Sequence, residues 1–478
     1  MRKKMSKKLM AVALSAGMAL SLAACTPEQP ADPVDPVDPV NPVDPEPSED
    51  SNILIDPATG EAYDLGGMEI IIRDWWSSGE VAEATSDYEE ARNEWREWIQ
   101  ETYNFKIKEM AISDWGSAPD DFISYASQPA DDQNYVFVLR SCASTCSAMS
   151  SGLMYDLSTL DCLDFSDAKF QRNKLHEQFS QGSAIYAMYA GYSEPRTGVY
   201  FNKQVLKDAG VEADDIYDMQ ANGTWTWDAF DEIMGKVQRD TNNDGIDDVY
   251  GLTLNEGVMT GAAMYSNGGE IIGKDANGYT YRVEDDCTME ALQWAIDMYS
   301  KYDKHDPEGV AWDYYKEEFL GGNVAFMVDD EYCGVGDNFL KDVEFEVGFV
   351  MFPKGPQAQT YVNCWSNNPA VIPANYDADR AWKIAFAWNL YTTQPEGYED
   401  YIDLSQPRAG VFDSRAVDET IVMMMQPEHG MVTYDGFIPN LDTGEPFLWK
   451  VGPDADLASI VEGFSTSYQT LVDAANGK

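Results

Sequence analysis

The sequence predicts an α/β protein built from two lobes, for reasons of size and of strand and helix pattern. The chain has 478 residues, 44% of them hydrophobic, whereas a single hydrophobic core stops growing at about 250–300 residues. From about residue 66, short apolar strands alternate with amphipathic helices. A β–α–β order of this kind predicts a mainly parallel sheet with helices on both faces.

The first lobe begins with three predicted strands. Residues 68–72 and 135–139 are continuous apolar runs typical of buried strands, and apolar residues alternate from Phe105 in the strand between them. A helix is predicted over 80–103, with its apolar residues along one side. Ligands of parallel sheets bind beyond the carboxyl ends of the strands. The residues that follow these strands are therefore candidate ligand contacts: Asp74, Trp75, Trp76 and Arg140.

A second series of elements predicts the second lobe. A short helix over 202–209 precedes a longer helix whose N-cap is Thr224 or Thr226, with apolar residues at i, i+3, i+4 and i+7. Strands are predicted over 324–328 and 345–352. The last helix places six apolar residues on one face: Leu457, Ile460, Val461, Phe464, Tyr468 and Leu471.

The amino-terminal segment is predicted to export and anchor the chain. Residues 1–24 join a basic start, MRKKMSKK, to an apolar run too short and too rich in alanine for a spanning helix. The run ends in LAAC at Cys25, which resembles the lipobox of bacterial lipoproteins. The resemblance implies cleavage before Cys25 and a lipid with two acyl chains on its sulfur, which anchors stably to the cell membrane. Residues 25–65, with their Asp-Pro-Val repeats, are predicted to form an extended acidic tether.

The composition excludes several classes of function. The formal net charge is −51, and it becomes −56 without the leader and its five basic residues. Nucleic acid is not expected as a partner, because its phosphates are bound by basic side chains. Only three histidines occur, and the HExxH, GxSxG, GxGxxG and P-loop motifs are absent, which argues against an enzyme. Six cysteines follow Cys25, and the sequence does not choose between disulfides and free thiols.

Several motifs occur in an order that a known family shares. Residues 198–203 (GVYFNK) are followed by KDAGV, by 224–230 (TWTWDAF) and later by EVGFVMFPKGP and 379–384 (DRAWKI). Together with 414–417 (SRAV), they resemble the family 1 extracellular solute-binding proteins. Proteins of this family are the binding subunits of ABC importers, many of them for oligosaccharides. The resemblance extends from about residue 66 to residue 475.

The resemblance implies a two-lobed periplasmic-binding-protein-like fold of type II, in which hinge-connected lobes close on a ligand. The implied function is capture of a solute outside the membrane and delivery to the membrane subunits of an ABC importer, without catalysis and as a monomer. The resemblance also implies three crossover segments that join the lobes, near residues 188–198, 361–368 and 405–414. Lobe 1 would then comprise residues 66–189 plus 369–408, and lobe 2 residues 198–360 plus 413–478.

Residues 240–248, DTNNDGIDD, resemble the beginning of an EF-hand calcium loop. Oxygen-bearing side chains occupy loop positions 1, 3, 5 and 9, a carbonyl is available at position 7, and a glycine at position 6 permits a sharp turn. Position 12 is Gly251, where the EF-hand has a bidentate glutamate, so tight binding is not expected. An acidic turn without metal is the alternative. The predicted ligands of one structural Ca²⁺ are Asp240, Asn242, Asp244, Ile246 and Asp248.

The predicted cleft combines aromatic rings with polar side chains, as a sugar-binding site requires. The C–H faces of a sugar pack against rings, and its hydroxyls need hydrogen-bond partners. Trp75 and Trp365 lie nearest to the place where the family binds its ligand. The complete set of predicted ligand contacts is Asp74, Trp75, Trp76, Arg140, Tyr192, Glu194, Arg196, Trp312, Asp330, Trp365 and Asn367.

Two alternatives to a sugar-binding protein stay open. A binder of another solute, such as a peptide, a polyamine or another cation, is favoured by the acidic charge. A surface-anchored carbohydrate-active enzyme would need a pair of carboxylates, for which residues 329–331 are candidates. Any chain with 83 acidic residues offers such pairs, so these carboxylates do not by themselves indicate an enzyme.

Overall fold

Two four-stranded sheets organise the folded part of the chain. A computed structural model describes residues 53–81 and 83–478. The predicted leader, Cys25 and most of the predicted tether lie outside the described residues. The strands of the two sheets, in chain order, are β1 (Met68–Asp74), β2 (Phe105–Ala111), β3 (Asn134–Val138), β4 (Thr197–Asn202), β5 (Tyr250–Leu254), β6 (Val324–Asp330), β7 (Val347–Met351) and β8 (Ala370–Val371).

Helices pack against these sheets. In the described part of the chain, those of eight or more residues are α1 (Asp87–Thr102), α2 (Ala118–Ala126), α3 (Ala143–Ser150), α4 (Ala213–Ala221), α5 (Trp227–Val237), α6 (Glu256–Ser266), α7 (Asp286–Tyr302), α8 (Ala378–Tyr391) and α9 (Leu457–Ala475). Shorter helices span Ala168–Gln171, Leu175–Gln178, Lys203–Asp208, Tyr315–Leu320, Ser405–Ala409 and Val422–Met424. Two-stranded ladders pair Ser180–Gln181 with Ala184–Ile185, Ile272–Asp275 with Gly278–Tyr281, and Asn363–Cys364 with Gly430–Met431.

The first sheet, which defines lobe 1, has the order β8-β3-β1-β2. β1 is parallel to both β2 and β3, and β8 adds an antiparallel strand beside β3. Val136 and Phe137 of β3 point to opposite faces of the sheet and are both buried. Both faces are therefore covered, and the mainly parallel sheet predicted from the sequence is confirmed.

The second sheet, which defines lobe 2, is mixed and has the order β7-β4-β6-β5. β5 and β6 are parallel, whereas β4 runs antiparallel to β6 and β7. Val199, Tyr200 and Phe201 of β4 are completely buried, as expected for a central strand with both faces covered. A second apolar cluster in this lobe includes Leu292 of α7 and Phe464 of α9.

Side-chain caps determine where several helices begin. The Ser86 hydroxyl accepts a hydrogen bond from the Glu89 N–H (3.2 Å), so α1 begins at Asp87. The predicted start at residue 80 was wrong, because residues 83–86 are not helical. Thr226, one of the two predicted caps, accepts from the Ala229 N–H (3.4 Å) at the start of α5.

Residues 54–478 form one folded unit, which begins inside the predicted tether. The Leu54 N–H donates to the Tyr103 hydroxyl (2.9 Å), and the Leu65 side chain is buried. The end of the predicted tether therefore packs on lobe 1. Among the described residues, no helix combines the length and the apolar character needed to cross a membrane.

The six cysteines of the described residues are free thiols. Burial raises the pKa of the Cys146 and Cys333 thiols, so both stay protonated at neutral pH. They therefore contribute to packing rather than to nucleophilic chemistry. The sequence left open whether these cysteines form disulfides or stay free, and in this structure they are free.

Candidate functional site

The carboxyl ends of β1, β2 and β3 meet at one edge of the lobe 1 sheet. Asp74 at the end of β1 lies opposite Ala111 of β2, and Arg73 lies opposite Phe137 of β3. The loops that leave this edge therefore start side by side. They carry four side chains that we call the lobe 1 aromatic surface: Trp75, Trp76, Trp115 and Arg140.

Two of these tryptophans are unusually exposed. Trp76 and Trp115 leave 58% and 60% of their surface accessible, although large apolar side chains are normally buried. Trp75 packs edge-to-face against Trp76, with ring centroids 4.9 Å apart. The guanidinium carbon of Arg140 lies 4.0 Å from the Trp115 ring centroid. Both exposed rings are thus held in place by a neighbour while each keeps a free face.

Asp74 shapes this surface without being part of it. The residue is 1% exposed, and one carboxylate oxygen accepts hydrogen bonds from the N–H groups of Trp76 (3.2 Å) and Ser77 (3.0 Å). The other oxygen accepts from the Ser77 hydroxyl. The expectation that Asp74 binds a ligand hydroxyl is therefore corrected, because the carboxylate closes the turn that presents Trp76.

The carboxyl edge of the lobe 2 sheet carries a second set of rings, Trp312, Tyr332 and Phe339, which we call the lobe 2 aromatic surface. Tyr332 and Phe339 pack edge-to-face with centroids 6.0 Å apart. The Lys316 ammonium lies 4.1 Å from the Phe339 centroid and 5.7 Å from that of Trp312. Asp329 near the end of β6 lies 3.6 Å from the same ammonium. Trp312 is 75% exposed.

The two carboxyl edges border the same crossover. Met188 pairs antiparallel with Ala370 of β8, and β8 is itself antiparallel to β3. The chain at Met188 therefore runs parallel to β3 and leaves lobe 1 at the carboxyl edge of its sheet. It enters lobe 2 at Thr197, which pairs with Asp330 at the carboxyl end of β6. The two aromatic surfaces therefore lie on either side of the crossovers.

Buried amides tie the first crossover to the second. Asn363 accepts a hydrogen bond from the Arg196 N–H (3.1 Å), and Asn367 accepts one from the Glu194 N–H (3.3 Å). The Asn367 amide also donates to the Ser193 hydroxyl (2.8 Å). Asn367 is 2% exposed, so the structure gives it a positioning role instead of the predicted ligand contact. Glu194 and Arg196 form an ion pair of 2.8 Å.

Trp365 is part of the core at the second crossover. The residue is 2% exposed, and its indole N–H donates to the Met424 carbonyl (2.9 Å). Gly430 covers the ring so closely that a Cβ atom there would lie 2.2 Å from it. The expectation that Trp365 stacks on a ligand is corrected by this placement, since neither face of the ring is open.

Two carboxyl groups follow one another at the end of β6. Asp330 accepts a hydrogen bond from the Thr197 hydroxyl (2.7 Å), and burial raises its pKa. Glu331 is 5% exposed, and burial raises its pKa to about 8, with a further contribution from Glu194 and an opposing one from Arg196. Glu331 therefore holds a proton in most molecules at neutral pH.

The predicted calcium loop is closed by its own hydrogen bonds. Asp240 accepts from the N–H groups of Asn243 (2.6 Å) and Gly245 (2.8 Å), and Asp248 accepts from that of Thr241 (2.8 Å). Asn243 and Gly245 adopt positive φ angles of 63° and 92°, which this tight turn requires. Within the described ranges, no three acidic, histidine or cysteine side chains converge as metal ligands do. This arrangement does not form a ready cation site, and calcium stays a prediction.

Three exposed aromatic residues at these edges were not predicted from the sequence. Trp115 follows β2, Phe339 follows β6 by nine positions in the chain, and Trp449 lies beside Gly257, just after β5. The rule that pointed to Trp75 applies equally to Trp115, because both follow parallel strands of one sheet. Phe339 and Trp449 carry no such signal, since the chain brings them to the edge from longer loops.

Part of the sequence also matches a known protein family. The sequence profile of the bacterial extracellular solute-binding protein family matches residues 165–391. Residues 165–391 therefore share the sequence pattern of this family. The predicted resemblance is thereby confirmed, and it indicates a transport receptor instead of an enzyme. A search of curated proteins finds no match.

Solved structures of solute-binding proteins share the fold. The cyclic alpha-maltosyl-1,6-maltose binding protein from Arthrobacter globiformis has a TM-score of 0.58 at 13% identity, covering 86% of this chain and 99% of its own. The ABC substrate-binding protein Lmo0181 from Listeria monocytogenes, in complex with cycloalternan, has 0.55 at 15%, covering 85% and 99%. UgpB from Mycobacterium tuberculosis, in complex with glycerophosphocholine, has 0.54 at 16%, covering 86% and 99%. The predicted periplasmic-binding-protein fold is confirmed.

Proposed function

We propose that this solute-binding protein captures an oligosaccharide between its lobes and delivers it to the importer. The observation that carries the proposal is the pair of exposed aromatic surfaces at the carboxyl edges of both sheets. Rings that stay exposed in a folded protein mark a binding surface. An elongated ligand with apolar C–H faces, such as a sugar chain, matches several separated rings better than a small compact solute does.

The ligands named for proteins of the same fold support a sugar. The Arthrobacter globiformis protein is named for cyclic alpha-maltosyl-1,6-maltose, and the Listeria monocytogenes protein is in complex with cycloalternan. UgpB, in complex with glycerophosphocholine, shows that the fold also accepts a different solute. The fold alone therefore does not distinguish the solute classes, and the aromatic surfaces of this chain are what support a sugar.

Binding measurements on single-ring variants test the proposal. Trp76→Ala and Trp115→Ala each remove an exposed ring, and each should weaken the binding of the best glycan in a panel by about three- to tenfold. Ile246→Ala is the matched control, because Ile246 is an exposed apolar residue that precedes β5 at the opposite edge of the lobe 2 sheet. Its affinity should equal that of the unmodified protein.

The panel also decides between the solute classes. It contains linear and cyclic glucans, other oligosaccharides, peptides and polyamines, and binding is followed by calorimetry and by tryptophan fluorescence. A glycan that binds without being cleaved supports the proposal. Tight binding of a peptide or a polyamine, with no response to any glycan, contradicts it.

We further propose that lipid on Cys25 holds the protein at the outer face of the cell membrane. The support is the sequence LAAC at the end of the apolar leader. The family is one of extracellular solute-binding proteins, so export is expected for the chain. A lipid anchor would keep the receptor close to the membrane subunits of its importer.

A further inference from the structure

A cavity of about 540 Å³ lies where the crossovers meet the carboxyl end of β6. Its volume is in the range of small-molecule sites in proteins. Tyrosines form much of its wall, and three acidic groups and one arginine also line it. The lining includes Tyr332, Tyr401, Glu194, Arg196, Glu331 and Asp403.

Glu331 is the unusual member of this lining. The residue is 5% exposed, yet its carboxyl group has no hydrogen-bond partner among the described residues. Only its main chain is bonded, through the carbonyl to the Tyr200 hydroxyl (2.7 Å) and through the N–H to the Arg196 carbonyl (3.0 Å). The adjacent Asp330, by contrast, is bonded by Thr197. A buried carboxyl group without a partner costs free energy unless something else compensates it.

The two arginines near the cavity each pair with a carboxylate, although the buried Nε of Arg196 has no hydrogen-bond partner among the described residues. The Arg196 guanidinium donates to Glu194 (2.8 Å). Arg172, which lies against the ring of Tyr192 at 4.8 Å, is paired with Asp400. Glu331 and the exposed Asp403 also line the cavity, and neither forms an ion pair within the described residues. The cavity thus combines excess negative charge with aromatic walls.

We infer that this cavity binds an organic ammonium group, with the Glu331 carboxylate as its counter-ion and the surrounding tyrosine rings as its wall. A cation held between a carboxylate and aromatic faces gains both Coulomb attraction and cation–π attraction. An inorganic cation would instead prefer several oxygen ligands, and here one buried carboxylate is combined with rings. The inference goes beyond the proposed function, because it requires no sugar, although Tyr332 belongs both to this cavity and to the lobe 2 aromatic surface.

The protonation of Glu331 gives the inference a distinctive signature. Its pKa of about 8 arises from burial and from Glu194, against the effect of Arg196, with Asp330 also raising it. Only the ionised form pairs with a cation, so binding requires loss of the proton. The ionised fraction, and with it the apparent affinity, should rise roughly fiftyfold between pH 6 and pH 8 for a pKa of about 8.

Tetramethylammonium chloride is the probe, because its charge does not change with pH. Its binding is measured by calorimetry and thermal shift at pH 6, 7 and 8, against sodium chloride at the same ionic strength and without any glycan. The variant Glu331→Gln keeps the shape of the side chain and removes the charge. Glu462→Gln, at an exposed position of α9, is the matched control for loss of one carboxylate.

The expected result is a response to tetramethylammonium that sodium does not reproduce and that strengthens with pH. Glu331→Gln should bind at least about tenfold more weakly, with no pH dependence, while Glu462→Gln behaves as the unmodified protein. Calorimetry in buffers of different ionisation enthalpy should also detect release of nearly one proton per bound cation at pH 7. This last measurement needs only the unmodified protein, so it tests the ammonium site even if Glu331→Gln does not fold.

Three outcomes would overturn the inference: equal binding by Glu331→Gln, an equal response to sodium, or binding without proton release. None of them bears on the proposed sugar site, because no glycan is present. Conversely, loss of glycan binding in Trp76→Ala leaves the ammonium result unchanged. The two proposals therefore fail independently.

Discussion

Replacing Trp365 by alanine separates the two roles that a tryptophan at this crossover can have. A ligand contact would lose affinity and keep its stability, whereas a core residue would lose stability. Trp365 is 2% exposed, its indole N–H bonds to the Met424 carbonyl, and Gly430 lies against its ring. The structure therefore predicts the second result.

The magnitude follows from these contacts. Truncating a buried tryptophan to alanine lowers the free energy of unfolding by about 3–5 kcal/mol, because transfer free energy is lost and a cavity remains. The unpaired Met424 carbonyl adds about 1 kcal/mol. Trp76→Ala is the matched substitution at an exposed site, and it should change the free energy of unfolding by no more than about 0.5 kcal/mol.

Urea-induced unfolding followed by far-ultraviolet circular dichroism is the assay, since it does not depend on tryptophan emission. Gly430→Ala extends the test, because its new methyl group would overlap the Trp365 ring. That substitution should destabilise the unmodified protein by about 1–3 kcal/mol and cost far less in the Trp365→Ala background. A Trp365→Ala variant of normal stability, or no coupling between the two positions, would refute the placement of this tryptophan in the core.

Three further predictions concern calcium, pH and anchoring. If the loop around Asp240 holds calcium, chelator should lower the melting temperature and Asp240→Ala should abolish the effect; identical melting curves with and without chelator would leave an acidic turn. Burial raises the pKa of Asp435 to about 7, with Glu270 adding to the shift, and one of its carboxylate oxygens has no partner. The folded state then keeps a proton that the unfolded chain loses above about pH 4, so stability should fall as the pH rises from about 4 to 7. Asp435→Asn should flatten that decline and stabilise the protein at pH 8 by about 1–3 kcal/mol, as measured by urea unfolding, and an unchanged pH profile would contradict this. Cys25→Ala should release the protein from the membrane fraction of a bacterium with the lipid-modifying enzymes, and retention there would argue against the lipid anchor.

Much of the fold follows from local patterns in the sequence. The continuous apolar runs of β1 and β3 and the alternation in β2 depend only on residues that are neighbours in the chain, and the structure confirms all three strands. The position of Trp75, Trp76 and Arg140 also follows from a local rule, since residues after parallel strands emerge at the same edge. The error in the start of α1 is local as well, because the N-cap at Ser86 outweighs the helical pattern before it.

The role of each site residue depends on contacts that no local pattern contains. Trp365 and Trp76 are the same residue type at predicted cleft positions, but Gly430, distant in sequence, covers the Trp365 ring, whereas Trp76 is 58% exposed. Glu331 has a raised pKa because burial excludes water from it and because Glu194, from the first crossover, lies near it. The sequence by itself determined the main strands and helices, the resemblance to a solute-binding family and the strand ends that carry the exposed rings. Only the tertiary structure decided which side chains are buried, paired or exposed there, because burial and charge pairing depend on segments that are far apart in the chain.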